Sequence, residues 1–317
     1  MSRIHEALKR AEQERTASQG GRAQCAPVMD SPVMEPRPSM PDGPTPAGVS
    51  AGVGTAPAPE SNQGIPSFAS SFTFDTLLAR CTQGNWHPDP KTMLFFNQED
   101  NAIGTEQFRT LRSRLYQMRE KGSLKKILVT SALPKEGKSF VSANLAQVLV
   151  RQHGRRVLLI DGDLRVARLH AALGTTSAPG LGDYLLGESD EFSIMQRGPM
   201  ENLFFIPCGR NVAQPAELIA NGRLKMLMQR VEPLFDWIIV DSPPAVPVSD
   251  ASQLANFCDG VLMVVRSNAT PYDSAQKARQ EFAGKTLVGV VLNGITRADS
   301  YHRYYYEAYE KTPQQKA

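Results

Sequence analysis

Hydrophobic and polar positions change rhythm several times along these 317 residues. From residue 125 onward, short apolar runs alternate with longer amphipathic ones. The runs are KKILVTS (125–131), RRVLLID (155–161), LFFIP (203–207), DWIIVD (236–241), GVLMVV (260–265) and TLVGVVLN (286–293). Each is rich in Val, Ile, Leu or Phe without polar alternation, the pattern of a strand buried on both faces. Between them, SFVSANLAQVLVRQHG, PAELIANGRLKMLMQRVE and PYDSAQKARQEF read as helices. Strand and helix in turn predict an α/β fold, a mostly parallel sheet with helices on both faces. Upstream, IGTEQFRTLRSRLYQMRE predicts a helix with Phe108, Leu111 and Leu115 on one face. There is no internal repeat.

The first part of the chain follows other rules. Ile4, Ala7, Leu8 and Ala11 stand at helical spacing among charged residues, so 1–15 predicts a short amphipathic helix. Too short to be stable alone, it suits docking to another protein. Ten prolines then lie between Pro27 and Pro66, mixed with Gly, Ala and Ser. Such a stretch cannot bury enough apolar area to offset its ordering entropy and predicts a disordered tether. Order returns gradually through FTFDTLLARC. The expected organisation is a terminal helix at 1–15, a largely disordered linker at 16–90, a folded domain at 91–296 and a tail at 297–317.

Composition narrows the function. A net charge of +3 with 21% charged residues gives no polyanion-binding bias, which argues against a nucleic acid partner. Cys25, Cys81, Cys208 and Cys258 are dispersed without CxxC spacing, against a disulfide framework or zinc site and for a reducing compartment. No run approaches the ~18 apolar residues of a membrane span. The opening MSRIHEALKRAEQER is too charged for a signal peptide. The expected location is cytoplasmic, with the inner membrane reached through a partner.

Three strand ends carry the chemistry. The first run leads into TSALPKEGKSF, where Gly137-Lys138-Ser139 follows a buried strand and opens a helix, the context of a phosphate-binding P-loop. Backbone N–H groups of Pro134-Lys135-Glu136-Gly137-Lys138-Ser139-Phe140 (proline excepted) and the helix N-terminus would face phosphate oxygens. Lys138 would reach the β- and γ-phosphates of ATP, and Ser139 would hold Mg²⁺. Ala132 replaces the usual first glycine of the motif. The second run ends in LLIDGDLR, setting Asp161 and Asp163 at a strand end, suited to metal coordination and proton acceptance. The third, WIIVDSPP, ends in Asp241, a second metal-holding carboxylate of Walker B form.

In this order SALPKEGKS, LLIDGDLR and WIIVDSPP resemble the bacterial tyrosine kinases of capsule and exopolysaccharide synthesis. PGLGDYLLG (179–187), QPAELI (214–219), SDASQLA (249–255) and VVLN ending at Asn293 extend the likeness over about two thirds of the chain. The opening helix is similar to that of exosortase-associated members. The resemblance makes 91–296 a P-loop tyrosine kinase domain. It implies that Lys138 and Ser139 bind phosphate and Mg²⁺, that Asp163 and Asp241 support the metal, that Asp161 accepts the tyrosine proton and that Asn293 contacts adenine. It also implies a homo-oligomeric ring joined through Glu106, Arg109 and Arg112, a membrane-embedded polysaccharide co-polymerase as activator, and a cognate tyrosine phosphatase. Lys135 stands where the family often has glycine, and Ala167 where proline usually follows. A partition- or Min-type ATPase switch is the alternative, although Leu133 does not supply the signature lysine of the partition type.

Five of the eight tyrosines, Tyr301, Tyr304, Tyr305, Tyr306 and Tyr309, crowd the end of the chain. No Leu, Val or Phe accompanies them there, so the cluster reads as an autophosphorylation tail rather than a core stripe.

Overall fold

The six apolar runs all form strands, five of them between neighbours that bury them and the last, 287–293, at the sheet edge. The computed structural model describes residues 72–96 and 103–295. The helix expected at 1–15, the tether to residue 71 and the tail at 297–317 lie outside the described residues. The chain begins with α1 (Phe74–Arg80), β1 (Thr82–Gln83) and α2 (Ile103–Lys121), then β2 (Lys126–Ser131), α3 (Lys138–Val150) and β3 (Val157–Asp161). Next come α4 (Leu169–Leu173), α5 (Leu181–Leu186), β4 (Gln196–Arg197), β5 (Leu203–Ile206), α6 (Pro215–Ala220) and α7 (Arg223–Val231). The last elements are β6 (Trp237–Asp241), α8 (Asp250–Leu254), β7 (Gly260–Arg266), α9 (Tyr272–Glu281) and β8 (Leu287–Asn293).

The strands form one sheet in the order β1-β4-β5-β3-β6-β2-β7-β8, parallel except where β4 runs against β5. Because side chains alternate across a strand, each run feeds two cores. Leu128, Leu158, Ile160, Phe204, Ile206, Ile238 and Val240 pack on one face, with α5, α6 and α7. Ile127, Val129, Val157, Leu159, Leu203, Phe205, Trp237 and Ile239 pack on the other, against α2 and α3. Burial on both faces explains why these strands show no polar alternation. Phe108 and Leu115 are buried as the α2 pattern requires, with Leu111 partly buried beside them.

Register sets the site. Asp161 at the end of β3 pairs with Asp241 at the end of β6, and Asp241 pairs in turn with Val129 of β2. The loop that follows β2 therefore opens beside both aspartates, at the C-terminal edge where α/β sheets bind ligands.

Two expectations change. The stretch 215–232 is two helices, because Gly222 takes φ 87° in the left-handed region and breaks the turn between α6 and α7. The linker also stops short of residue 90. Thr73 caps α1 in a reciprocal box with Thr76, and Leu77 is wholly buried. The Phe74 ring meets Phe204 edge-on at 5.7 Å and lies under the Arg156 guanidinium at 3.6 Å. Trp86 stands edge-on to Phe205 at 6.0 Å. Farther on, buried Asn144 of α3 accepts the Leu94 N–H at 2.9 Å and donates to the Thr92 carbonyl at 2.8 Å. Aromatic anchoring of this kind hides in a short segment with little periodicity.

Trp86→Ala should therefore cost about 3–5 kcal/mol of stability, seen as a lower urea midpoint. A chain begun at residue 91 should be destabilised at least as much; an unchanged midpoint would place 72–90 outside the folded unit.

Candidate active site

The P-loop joins the buried end of β2 to the first turn of α3. Gly137 precedes α3 with φ 97°, and a Cβ there would lie 2.0 Å from Asn293 Nδ2. Glycine is required on both counts. No side chain caps this helix start, which leaves its N–H groups and dipole directed at the loop. Lys135 also lies in the left-handed region, at φ 65°. A glycine would meet that backbone demand without strain. Pro134 and Lys135 are exposed, while Glu136 is buried.

Lys138 is itself buried at the start of α3, and its ammonium lies among carboxylates. Nζ donates to Asp163 Oδ2 at 2.8 Å and stands 3.8 Å from Asp241 Oδ2. Ser139 Oγ donates to Asp241 Oδ2 at 2.6 Å, and Ser142 Oγ donates to Oδ1 of the same carboxylate at 2.9 Å. Asp161 is fully buried and accepts N–H groups of Asp163 and Leu169, each at 3.3 Å. Gly162, between the two β3 aspartates, allows the close approach, since a Cβ would sit 2.7 Å from the Asp241 carbonyl.

One cation thus faces three buried carboxyl groups. Burial works against the Lys138 ammonium, but Asp241, Asp163 and Asp161 outweigh it and hold its pKa above the usual lysine value. Burial, with the Asp241 charge behind it, pushes the Asp161 pKa up to about 8. Burial also raises that of Asp241, against the pull of Lys138, Ser139 and Ser142. Such a set can exchange a proton near neutrality and would accept further positive charge. It fits Mg²⁺: an ion that takes few protein oxygens beside phosphate and water would find the Ser139 hydroxyl and the Asp241 carboxylate together. Among the described residues no group of three or more His, Cys, Asp or Glu is placed to hold a metal alone, so phosphate oxygens would complete the shell.

The other expected residues lie farther out. Asn293, at the end of β8, donates through Nδ2 to the Glu136 carbonyl at 2.9 Å, leaving Oδ1 as an acceptor. The Phe140 ring packs edge-on to Phe108 at 5.8 Å, tying the loop to α2. On α2, Glu106 and Arg109 pair with each other, while Arg112 donates to the Val148 carbonyl at the end of α3, 3.1 Å away. The five tail tyrosines lie outside the described residues.

Sequence reasoning missed three supporting residues of the site. Ser142 stands one turn beyond Ser139 on α3, a spacing that could have revealed it. Arg165 grips Asp250 with two bonds, Nε to Oδ2 at 2.7 Å and Nη2 to Oδ1 at 3.0 Å. This pair ties the loop after Asp163 to α8. Both residues fall in motifs quoted above, but their partnership crosses 85 positions and leaves no local pattern.

Comparison with known proteins supplies the family and the fold. A family model described as an AAA domain matches residues 125–276. Tyrosine-protein kinase YwqD of Bacillus subtilis is 35% identical over 198 residues, which cover 62% of this chain and 83% of YwqD. The chain belongs to the bacterial tyrosine-protein kinases. Tyrosine-protein kinase Wzc of Salmonella typhimurium is 34% identical to this kinase over 217 residues, 68% of the chain but only 30% of Wzc. The solved kinase domain of the Escherichia coli tyrosine kinase ETK superposes with a TM-score of 0.58 at 30% identity, covering 62% of the chain and 77% of the domain. The kinase has the nucleotide-binding fold of its class, and no helix among the described residues is long and apolar enough to cross a membrane.

Asp161 gives the site a pH signature. Its folded-state pKa of about 8 lies above the ordinary aspartate value of 3.8, so the folded chain keeps a proton that the unfolded chain has lost. Stability from this group is greatest below the lower value and falls as pH rises through the upper one. Asp161→Asn removes the penalty. Its melting temperature should match that of the unsubstituted chain near pH 4 and exceed it by several degrees at pH 8, at roughly 2–4 °C per kcal/mol. Calorimetry across that range checks the sign.

Proposed function

We propose that this chain is an ATP-dependent tyrosine autokinase that phosphorylates its own C-terminal cluster in trans. The observation that carries the reading is Asp161, fully buried beside the Lys138–Asp163 pair with a pKa near the working pH. A base of that kind suits removal of a phenolic proton as the phosphoryl group arrives. In the proposed reaction the tyrosine oxygen bonds to the γ-phosphorus and the bond to ADP oxygen breaks. The phenolic proton passes to Asp161 in its carboxylate form, which a pKa of about 8 leaves partly populated at neutral pH. Lys138 leaves Asp163 for the β- and γ-phosphate oxygens, with its charge spread over the transferring group. Ser139, with Asp163 and Asp241 behind it, would hold Mg²⁺, which neutralises charge on the phosphates when bound. Asn293 would meet adenine through its remaining acceptor.

Tyr301, Tyr304, Tyr305, Tyr306 and Tyr309 are the proposed acceptors, presented by a neighbouring copy in a ring joined through Glu106, Arg109 and Arg112. Arg112 is also engaged within its own chain, so its interface role would add to a structural one. Each phosphate adds about −1.5 to −2 charge, so a fully modified tail would overturn the net +3 and repel its docking site. By family likeness the cycle would govern exopolysaccharide polymerisation and export at the inner membrane. The partners would be a membrane-embedded co-polymerase as activator and a cognate phosphatase.

Incubation of the purified chain with γ-labelled ATP and Mg²⁺ tests the chemistry. Label should appear on tyrosine, fall by at least about 10²-fold in Lys138→Met, and vanish when the five tail tyrosines become phenylalanine. Mixing the Lys138→Met chain with the phenylalanine-tailed one should restore label on the former. Release of free phosphate with no tyrosine label would instead indicate a partition- or Min-type ATPase.

A further inference from the structure

The two peptides ahead of Lys138 are gripped from the β7–β8 edge of the sheet. Arg266 Nη1 donates to the Lys135 carbonyl at 3.2 Å, and Asn293 Nδ2 donates to the Glu136 carbonyl at 2.9 Å. The Glu136 side chain, 4% exposed, is a strut beneath them. Its Oε2 accepts the Leu133 N–H at 2.9 Å, and its Oε1 accepts the Thr270 hydroxyl. Thr270 is fixed in turn, since its Oγ1 accepts the Arg266 N–H at 3.0 Å.

A trans peptide is planar, with its carbonyl and the following N–H on opposite sides. Binding the Lys135 carbonyl toward Arg266 therefore turns the Glu136 N–H away from β7. Binding the Glu136 carbonyl toward Asn293 turns the Gly137 N–H away from β8. Among the described residues, the N–H groups from Glu136 to Phe140 meet no acceptor. A run of free N–H groups with fixed direction is an anion nest. The Arg266 bond also holds Lys135 in a left-handed conformation that non-glycine residues rarely adopt.

We propose that Thr270, with Arg266 beside it, is a positioning residue for the phosphate loop. It touches no reacting atom. It keeps Glu136 in place, and Glu136 and Arg266 together set the peptide orientations that a polyphosphate meets. The inference rests on the nucleotide-binding reading of the loop and adds to it a determinant that lies outside the P-loop and both aspartate motifs.

Calorimetric titration of the full chain with Mg-ATP tests this. Thr270→Val keeps the shape, removes the hydroxyl donor and leaves the buried carboxylate of Glu136 one partner short. The Kd should rise about five- to ten-fold, with the variant still folded at the titration temperature. Thr270→Ser should restore affinity, which a purely steric role would not require. Arg266→Met, at an exposed position, should weaken binding about two- to five-fold. Wild-type Kd in both Thr270→Val and Arg266→Met, or failure of serine to rescue, would overturn the inference. A wild-type chain that binds no ATP would overturn the nucleotide reading itself.

Discussion

Three aspartates and one lysine ammonium share a single buried volume at the C-terminal edge of the sheet, and much of the structure serves that crowding. Water would screen these charges, but both faces of the central strands are covered and the cluster lies under the start of α3. In such surroundings unbalanced charge is expensive. The molecule limits the cost by pairing Lys138 with Asp163, by giving Asp241 two hydroxyl donors and by keeping a proton on Asp161. What remains is a site short of positive charge, with a carboxyl group that gains and loses a proton near neutrality. Both properties suit phosphoryl transfer to a phenol.

The topology delivers this arrangement cheaply. Parallel pairing of β3, β6 and β2 sets their C-terminal ends side by side, so two carboxylates from distant sequence become register partners. Supports then act from opposite flanks. On one, the Arg165–Asp250 pair fixes the loop after Asp163. On the other, Thr270, Arg266 and Asn293 hold the peptides ahead of Lys138. Apart from Asn293, which would also meet adenine, neither flank carries residues assigned to the site, yet each fixes the direction in which an active group points.

Much of this was legible in advance. Five of the six apolar runs form strands buried on both faces, which leaves an unmistakable composition; the sixth, β8, is an edge strand with Val290 and Leu292 exposed, and the three motifs fell at strand ends because each is local. Strands β1 and β4 left no signal; two polar residues each, TQ and QR, pair only because the sheet edge is already there. The anchoring of 72–90 depends on Phe74 and Trp86 meeting Phe204 and Phe205, more than a hundred residues away. The Gly222 break was hidden by the apolar residues around it. Thr270 stands outside every quoted motif, and only the fold brings it to Glu136.

The claim beneath the whole account is that one of the three carboxyl groups, that of Asp161, holds its proton into the neutral range. Carbon-13 NMR titration of the aspartate carboxyls in the nucleotide-free chain measures this directly, with Asp161→Asn supplying the assignment. The account predicts one resonance, absent from the variant, that titrates near pH 8. Titration of every aspartate below about pH 5, the ordinary range for exposed carboxylates, would contradict it.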